Sequence, residues 1–308
     1  MMSHLILGSR GSVLALAQVA IVKGALATFN PSLEIEVKII TTSGDRRQEV
    51  KAGEGSDAGL KGLFTKEIQD ALLNGSIHAA VHSLKDLPGI TPPSLGLAAV
   101  LPRADTSDLL ISRDAAGPAT LDALSPGARL GTGSVRRRRQ IEWLRPGLEI
   151  VDLRGNVPTR LKKLTDPSLD AIVLARAGLD RLGYAISGGI LHCDAGSFRV
   201  TPLDILPAIG QGAIGIETRR DDANTRSIFS PIDHLPTHTC IRVERELLRL
   251  LEGDCRLPVG ARVTLDDSAT LHAEAIVFRD DAPQPAQARA TGPASAPEEL
   301  AGRLFEQL

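Results

Sequence analysis

The sequence predicts an α/β protein in which strands and helices alternate along the chain. Short apolar runs of strand length recur between turn residues, and the segments between them show the 3.6-residue apolar spacing of helices. A length of 308 residues predicts about two domains, or three if they are small. With 43% hydrophobic and 23% charged residues, the composition is that of an ordinary globular protein and excludes a disordered or fibrous chain.

The predicted strands are of two kinds. Residues 33–39 alternate apolar side chains with Glu34, Glu36 and Lys38, which indicates a strand with one buried face. The other strands are continuous apolar runs, which suit strands of a parallel sheet that is covered on both faces. These runs are residues 5–7, 77–81, 148–153 and 171–174.

The helices and boundaries follow from spacing and from Gly and Pro. Apolar residues at helical spacing over residues 60–72 predict a helix that ends at Asn74 and Gly75. Changes in composition at residues 92–107 and 231–236 suggest domain boundaries. Residues 280–297 carry four prolines and are predicted to form a loop or poor edge structure before a short last helix from Glu298.

Several classes of protein are excluded or disfavoured by the composition. No apolar run approaches the roughly 18 residues of a membrane helix, and residues 5–7 lack the preceding cationic segment of an export signal. Cys193, Cys240 and Cys255 are odd in number and widely spaced, which predicts neither a zinc site nor a disulfide scaffold. The seven histidines form no ligand set, so no metal site is expected. We therefore expect a protein of the reducing cytoplasm.

Positive charge is concentrated in one part of the chain. Overall, 35 Lys and Arg against 37 Asp and Glu give a net charge of −2, which argues against binding nucleic acid through bulk charge. Residues 129–163 nevertheless hold ten basic and three acidic residues, a local excess of seven positive charges. Such a segment is either a solvated helix face or a binding site for carboxylate or phosphate, which arginine recognises with a rigid fork.

Three predicted strand-to-helix turns carry both glycine and arginine. They are residues 8–12, residues 131–134 followed by Arg136 and Arg137, and residues 153–156 before Arg160. Backbone N–H groups and the helix dipole favour an anion at such turns, and the carboxyl ends of parallel strands share one edge of a sheet. The three turns therefore predict one anion-binding cleft. Nucleic-acid binding through residues 136–139 is less favoured, because one Trp, one Tyr and six Phe offer little base stacking.

Two further positions could carry chemistry or could be structural. Lys85 and Asp86 follow a predicted buried strand, where they form either a surface ion pair or a catalytic carboxylate beside cations. Cys255 lies in a polar turn after Gly253, where it is either a small buried apolar side chain or an accessible thiol. These alternatives stay open on the residue pattern alone.

Taken together, the motifs resemble the hydroxymethylbilane synthase family, also called porphobilinogen deaminase. The resemblance runs from Leu5 to about residue 280 and includes ordered segments at residues 8–16, 61–67, 81–88, 131–137, 153–161, 210–217 and 251–255. It implies two doubly wound α/β domains like those of periplasmic binding proteins, facing one another across a cleft, and a smaller C-terminal α/β domain. The implied boundaries are 1–103 plus 208–230, 104–207, and 231–308, with the chain returning to the first domain near Gln211.

The resemblance also implies an activity. Such an enzyme carries a dipyrromethane cofactor on Cys255 through a thioether, adds four porphobilinogen units in turn with release of ammonia, and frees the linear tetrapyrrole hydroxymethylbilane by hydrolysis. It serves tetrapyrrole biosynthesis, including that of porphyrin and haem. We expect a cytoplasmic monomer with no nucleic-acid or membrane partner. The alternative is a two-lobed binding protein for a small carboxylate or oxyanion without catalysis.

The resemblance assigns roles to individual residues. Asp86 would be catalytic, hydrogen-bonding pyrrole N–H groups and stabilising the cation left when ammonia departs. The cofactor-binding residues would be Cys255, Ser83, Lys85, Thr132, Ser134, Arg136, Arg137, Arg154 and Arg160. The substrate-binding residues would be Arg10, Ser12, Phe64, Arg154, Arg181 and Gln211.

The chain departs from the family pattern at three places. Asp254 replaces the glycine that usually precedes the cysteine, and its charge disfavours a thiolate. Gly133 stands where serine is common. Residues 43–62 are rich in glycine, which predicts a mobile lid, but they lack one lysine of the family pattern, with Asp57 near its place.

Overall fold

The computed structural model describes residues 3–43, 65–252 and 257–308, and it contains three β-sheets. The first sheet has the order β2-β1-β3-β12-β4. Its strands are β1 (His4–Ser9), β2 (Glu34–Ile39), β3 (Ala79–Ser83), β4 (Leu95–Val100) and β12 (Ile214–Arg219). Strand β1 runs parallel to β2 and β3, whereas β12 runs antiparallel to β3 and β4. The sheet is therefore mixed and not purely parallel. After forming the second sheet, the chain returns at the carboxyl end of β3, so β12 runs in the opposite direction to β3.

The second sheet has the order β7-β6-β8-β5-β11-β10-β9. Its strands are β5 (Asp108–Ser112), β6 (Arg129–Gly131), β7 (Glu149–Val151), β8 (Ala171–Ala175), β9 (Ile186–Ser187), β10 (Ile190–Cys193) and β11 (Gly196–Leu203). Strand β6 is parallel to β7 and β8, and β5 is antiparallel to β8 and β11. The wholly parallel sheet that the apolar runs predicted is thus wrong here as well.

Helices cover both faces of each of these sheets. They are α1 (Val13–Phe29), α2 (Lys66–Leu73), α3 (Val135–Leu144), α4 (Val157–Lys163), α5 (Arg176–Arg181) and α6 (Ala223–Phe229). In the first sheet, Leu5 and Leu7 pack with α1 on one face, while Ala80 packs with α2 on the other. In the second, Ile172 and Val173 belong to separate core clusters. Burial of both faces explains the continuous apolar runs.

The C-terminal part contains an antiparallel sheet β13-β14-β15 and two helices. Its elements are α7 (Leu235–Leu250), β13 (Val259–Leu265), β14 (Thr270–Val277), β15 (Ala286–Pro293) and α8 (Pro297–Phe305). The helices and one sheet face share a single apolar core. The predicted α/β class with two lobes and a smaller C-terminal domain is confirmed, although this last sheet is antiparallel. The predicted boundary residues stay a prediction.

Several local predictions are confirmed or corrected by these bounds. The predicted helix ends at Asn74, followed by Gly75 at a φ of +76°, a conformation that glycine adopts at little cost. Residues 77 and 78 belong to the return from this helix, so β3 starts two residues later than predicted. Residues 286–293 are a strand and not a loop, because β14 supplies hydrogen-bond partners along their length; the strand lies at the sheet edge.

Candidate active site

Asp86 lies on a tight turn at the exit of β3. The strand ends at Ser83 and continues into a 3₁₀ turn, Leu84–Asp86. The turn is held by the chain that returns from the second lobe, because the Leu84 N–H donates to the carbonyl of Ala213 at 3.1 Å. Gly210 (φ +73°) passes so close that a Cβ there would lie 2.8 Å from the Leu84 carbonyl carbon. The returning chain therefore fixes the positions of Lys85 and Asp86.

Two adjoining cavities flank this turn. The smaller one is lined by Lys85, Arg181 and Gln211, among others. The larger one is lined by Arg10, Ser12 and Asp86, among others. Leu14, Gln18 and Ser83 line both cavities.

A hydrogen-bonded pair marks the boundary between the two cavities. The side chain of Gln18, on α1, both donates to the Ser83 hydroxyl at 2.7 Å and accepts from it at 2.9 Å. Gln18 is 2% exposed and is one of the few polar side chains in an otherwise apolar helix segment. The sequence analysis missed Gln18, although a lone glutamine among apolar residues was a usable signal.

The three glycine- and arginine-bearing turns do form strand-to-helix junctions, as predicted. Ser12, Ser134 and Asn156 are the N-cap residues of α1, α3 and α4. Their side chains accept from the N–H groups of Ala15, Arg137 and Thr159, at 3.2, 3.4 and 2.9 Å. The Thr132 hydroxyl accepts from the Ser134 N–H at 3.2 Å. Ser12, Thr132 and Ser134 thus shape the turns as well as offering hydroxyl groups.

Gly133 is explained by a close approach between two of these turns. A Cβ at residue 133 would lie 3.0 Å from the Leu153 carbonyl oxygen and 3.2 Å from the Asp152 carboxylate. A serine at this position requires the second turn to shift by a few tenths of an ångström. Glycine lets the turns that precede α3 and α4 pack closely.

Burial of positive charge is the main electrostatic feature of the site. Burial lowers the pKa of Lys85 from 10.5 to about 8, with Asp86 opposing the shift and Arg137 adding to it. Burial also lowers the pKa of Arg160 to about 10, and the charge of Arg137 contributes. Asp86 counters that shift, so it acts on residues of both lobes. A cluster whose cationic forms are disfavoured is complementary to added carboxylates.

Arg136 and Arg137 are buried and converge on Asp108, the first residue of β5. Each residue is 5% exposed, and each donates from Nη2 to the Asp108 carboxylate at 2.7 Å. Their Nη1 atoms donate to the carbonyls of Leu206 and Val173 at 2.6 and 2.9 Å. Of the two alternatives for this basic segment, the solvated helix face is therefore wrong for these two residues. Asp108 was not among the predicted site residues.

The remaining predicted residues fall in different places. Arg181 lines one cavity and donates to the Gly212 carbonyl at 2.7 Å. Gln211 is buried and donates to the Asp108 carboxylate at 2.8 Å. Arg154 does not join the buried basic side chains of the site. Its side chain is 73% exposed and pairs with Asp152 at 2.8 Å. Phe64 and Cys255 lie outside the described residues, as does the predicted lid over residues 43–62 except for Ser43.

The helix that leads toward residue 255 packs against the residues that directly follow the turn Leu84–Asp86. Arg245 on α7 donates to the carbonyls of Leu87 and Pro88 at 3.3 and 3.0 Å. Gly89 lies so near α7 that a Cβ there would be 2.9 Å from Leu248 Cγ. The C-terminal domain is therefore anchored two residues after Asp86, a contact that no sequence motif indicated.

The described residues contain neither a candidate metal-binding cluster nor a helix that could span a membrane. Within residues 3–43, 65–252 and 257–308, no group of three or more His, Cys, Asp or Glu side chains is placed to hold a metal ion. Among the helices of the same ranges, none is long and apolar enough to cross a membrane.

Fold and site together define a two-lobed α/β protein whose cavities are lined by basic side chains, among them Arg10, Lys85 and Arg181. Residues 5–227 match the family model "Porphobilinogen deaminase, dipyromethane cofactor binding domain", and residues 238–308 match "Porphobilinogen deaminase, C-terminal domain". The chain belongs to the porphobilinogen deaminase family. The predicted family, enzyme class and dipyrromethane cofactor are thereby confirmed.

Curated relatives agree over nearly the whole chain. The porphobilinogen deaminase of Syntrophobacter fumaroxidans is 43% identical over 298 residues, covering 93% of this chain and 91% of its own. That of Desulforudis audaxviator is 43% identical over 308 residues, covering 100% and 95%. These names favour the enzyme over the alternative of a passive binding protein.

Solved structures give weaker similarities. The periplasmic VFT2 domain of Bordetella pertussis BvgS overlaps 75% of this chain and 86% of its own, with 14% identity and a TM-score of 0.45. The second substrate-binding domain of Lactococcus lactis GlnP overlaps 74% and 86%, with 13% identity and a TM-score of 0.41. Similarity at this level says nothing about what the present chain binds.

Proposed function

We propose that this chain joins four porphobilinogen molecules head to tail on a dipyrromethane primer held by Cys255, and then releases hydroxymethylbilane by hydrolysis. One ammonia leaves for each unit added. The observation that carries the proposal is the partly buried cationic cluster beside the Asp86 carboxylate, at the meeting of the two lobes. The names of the relatives and of the matching family models support it.

The residues present fit a dipyrromethane. Each of its pyrrole rings carries an acetate and a propionate, so the cofactor and the growing chain are polyanions. Lys85 and Arg160 have pKa values lowered by burial, and a bound carboxylate offsets that penalty. Ser83, Thr132 and Ser134 add hydroxyl groups beside them. When bound, the cofactor supplies the pyrrole to which the first substrate is joined.

Asp86 is the group proposed to act on the reacting pyrrole. Its carboxylate lines the larger cavity, where it can accept hydrogen bonds from pyrrole N–H groups. Loss of ammonia leaves positive charge on the substrate ring, and a fixed carboxylate beside it stabilises that charge without reorganisation. Lys85, the preceding residue in the chain, lines the smaller cavity, where it holds a side-chain carboxylate.

Arginine side chains on both lobes are proposed to bind the substrate carboxylates. Arg10 and Ser12 line the larger cavity, and Arg181 and Gln211 line the smaller one. Arg154 is proposed as a contact at the cleft margin, since its exposed side chain can leave Asp152 at little cost. Phe64 is kept as a proposed contact from the sequence resemblance.

The basic run 136–139 offers little to a nucleic acid. Its first two arginines are buried on Asp108, Arg138 lies 3.8 Å from Glu142, and Arg139 pairs with Asp280 of the C-terminal domain. We therefore propose porphobilinogen as the partner, with no nucleic acid. A monomeric state and a cytoplasmic location complete the proposal.

An intact mass tests the proposed function. The purified protein is expected to exceed its sequence mass by a dipyrromethane, and the Cys255→Ser protein is expected to lack this excess. Ammonia release from porphobilinogen is measured on both proteins. An unmodified wild-type protein that also releases no ammonia contradicts the proposal.

Arg137→Leu is expected to reduce the fraction of protein that carries the cofactor. The change removes a buried guanidinium, and a charged hydrogen bond to a carboxylate is worth about 1–3 kcal/mol. The fraction is measured by intact mass. Arg138→Leu is the matched control, since that neighbour is exposed and only weakly paired. If the two variants carry the cofactor in equal fractions, Arg137 is not a cofactor-binding residue.

Lys85 makes the stability of the cofactor-free protein depend on pH. Its pKa is about 8 in the folded chain against 10.5 when unperturbed. Between these values the unfolded chain binds a proton that the folded chain does not, so this group's contribution to stability rises with pH across the window. We expect Cys255→Ser to gain stability relative to Cys255→Ser/Lys85→Met from pH 8 to pH 10. Urea midpoints measure this, and a constant difference contradicts it.

A further inference from the structure

Asp108 is a fully buried carboxylate with three side-chain donors. Arg136 and Arg137 each donate to it at 2.7 Å, and Gln211 donates at 2.8 Å. The arginines lie on α3 of the second lobe, whereas Gln211 lies on the connection that returns the chain to the first. Gln211 also donates to the carbonyl of Thr106, on the outgoing connection, at 2.7 Å. Through Gln211, the Asp108 carboxylate therefore links the outgoing and the returning connections between the lobes to Arg136 and Arg137.

Three buried polar atoms in this cluster lack a hydrogen-bond partner among the described residues. They are Nε of Arg136, Nε of Arg137 and Oε1 of Gln211. The Nη atoms of both arginines donate to Asp108 and to the carbonyls of Leu206 and Val173. The Nε–H group of each guanidinium has no acceptor among the described residues. Unsatisfied buried donors are costly, and two adjacent ones indicate a place for a further acceptor.

We propose that Asp108 is a positioning residue of the cofactor site, the internal counter-ion that holds Arg136 and Arg137 with their Nε edges directed to a cofactor carboxylate. The inference rests on the proposed function, because it takes these arginines as cofactor ligands. Asp108 acts through the arginines and does not itself contact the cofactor, since its own side chain is 0% exposed.

The charge balance explains why such a residue is needed. The two buried guanidinium groups bind the same carboxylate, and their mutual repulsion is unopposed in the cofactor-free chain unless a nearby anion compensates it. These arginines hold the pKa of Asp108 well below its usual range, although burial acts the other way. The carboxylate is thus ionised throughout the working pH range. When the cofactor is bound, its carboxylates also compensate the positive charge of Arg136 and Arg137. The stability of the folded chain then depends less on Asp108.

This dependence distinguishes positioning from a purely structural ion pair. A structural pair stabilises the loaded and the cofactor-free protein equally. A counter-ion whose task is shared by the cofactor stabilises the cofactor-free protein more. The two roles therefore differ in the coupling between Asp108 and the cofactor, which a double-mutant cycle measures.

The cycle uses four full-length proteins: wild type, Asp108→Asn, Cys255→Ser and the double variant. Their Tm values are compared, and intact mass gives the loading of each. We expect Asp108→Asn to lower Tm by on the order of 10 °C in the Cys255→Ser background. In the loaded background we expect a loss of less than half as much. Asp222→Asn, another carboxylate paired with an arginine at 2.8 Å, is the control and is expected to give equal losses in both backgrounds.

Each result bears on the proposal. Equal losses of Tm from Asp108→Asn in both backgrounds, or no loss in either, overturn it. If Asp108→Asn purifies without the cofactor while Asp222→Asn is loaded, the proposal is supported; if both variants lack it, the proposal is overturned. Should Asp108→Asn fail to fold, Asp108→Glu keeps the charge and is expected to show the same larger loss when unloaded. A wild-type protein without a Cys255-dependent adduct defeats the proposed function instead, whatever Asp108 does.

Discussion

Asp86→Asn is expected to lower kcat by about 10³-fold, on the scale of losing one preorganised electrostatic group. Asparagine keeps the shape of the side chain but removes the negative charge that faces the substrate and that acts on Lys85 and Arg160. The variant should fold and carry its cofactor, because the turn Leu84–Asp86 is held by backbone contacts. Single-turnover ammonia release and intact mass, measured on the same preparation, separate chemistry from loading.

The control for this prediction is Asp166→Asn. Asp166 is an exposed carboxylate in a surface turn, where it accepts from the Ser168 N–H at 2.8 Å. Its replacement should leave ammonia release within a factor of about two, as is usual for surface positions. If Asp86→Asn releases ammonia at the wild-type rate, Asp86 is not the catalytic carboxylate.

Glu244→Ala is expected to lower the free energy of unfolding by roughly 3–5 kcal/mol, the cost of breaking a buried ion pair from one side. Glu244 is 0% exposed and accepts from both Nη atoms of Arg103, at 2.6 and 3.0 Å. It also accepts from the N–H groups of Gly210 and Val263, at 2.8 and 3.1 Å. Alanine leaves a guanidinium and two N–H groups without their acceptor, at the junction of both inter-lobe connections with the C-terminal sheet.

Urea denaturation of Glu244→Ala and Glu246→Ala provides the comparison. Glu246 lies on the same helix two residues later, but its partner Arg249 is 54% exposed, so its loss should cost less than about 1 kcal/mol. A loss for Glu244→Ala as small as that of the control contradicts the assigned role. Differences in the slope of the transition further report whether the C-terminal domain separates from the lobes before they unfold.

Local structure was predicted where the cause is local. The helix end at Asn74 and Gly75, the alternating strand that became β2, and the three strand-to-helix turns all depend on residues close in sequence. Buried strands were recognised by their apolar runs, but residues 148–153 shrank to Glu149–Val151 because that strand is a short edge pairing with β6 alone. Residues 280–297 were predicted to form a loop or poor edge structure, and residues 286–293 of this range form the edge strand β15. Their composition is poor in strand formers, so pairing with β14 decides their structure.

The site was predicted in part, for a similar reason. Arginine beside glycine in three turns was enough to expect an anion cleft, and Lys85 and Asp86 stood out at a strand exit. Gln18, Asp108 and Arg245 were missed, since their importance comes from partners 65, 29 and 157 residues away. A single polar residue has no local pattern that reveals such a partner.

The sequence by itself determined the class of structure, the positions of most helices and strands, and the presence of a carboxylate-binding, cofactor-bearing enzyme through its ordered motifs. Tertiary structure alone decided that β12 returns antiparallel into the first sheet and that Arg136 and Arg137 face Asp108 instead of solvent. It also decided that Glu244 joins three parts of the chain. The physical reason is that periodicity and turn chemistry act over a few residues. Burial of charge depends instead on which distant groups the fold brings within hydrogen-bonding distance.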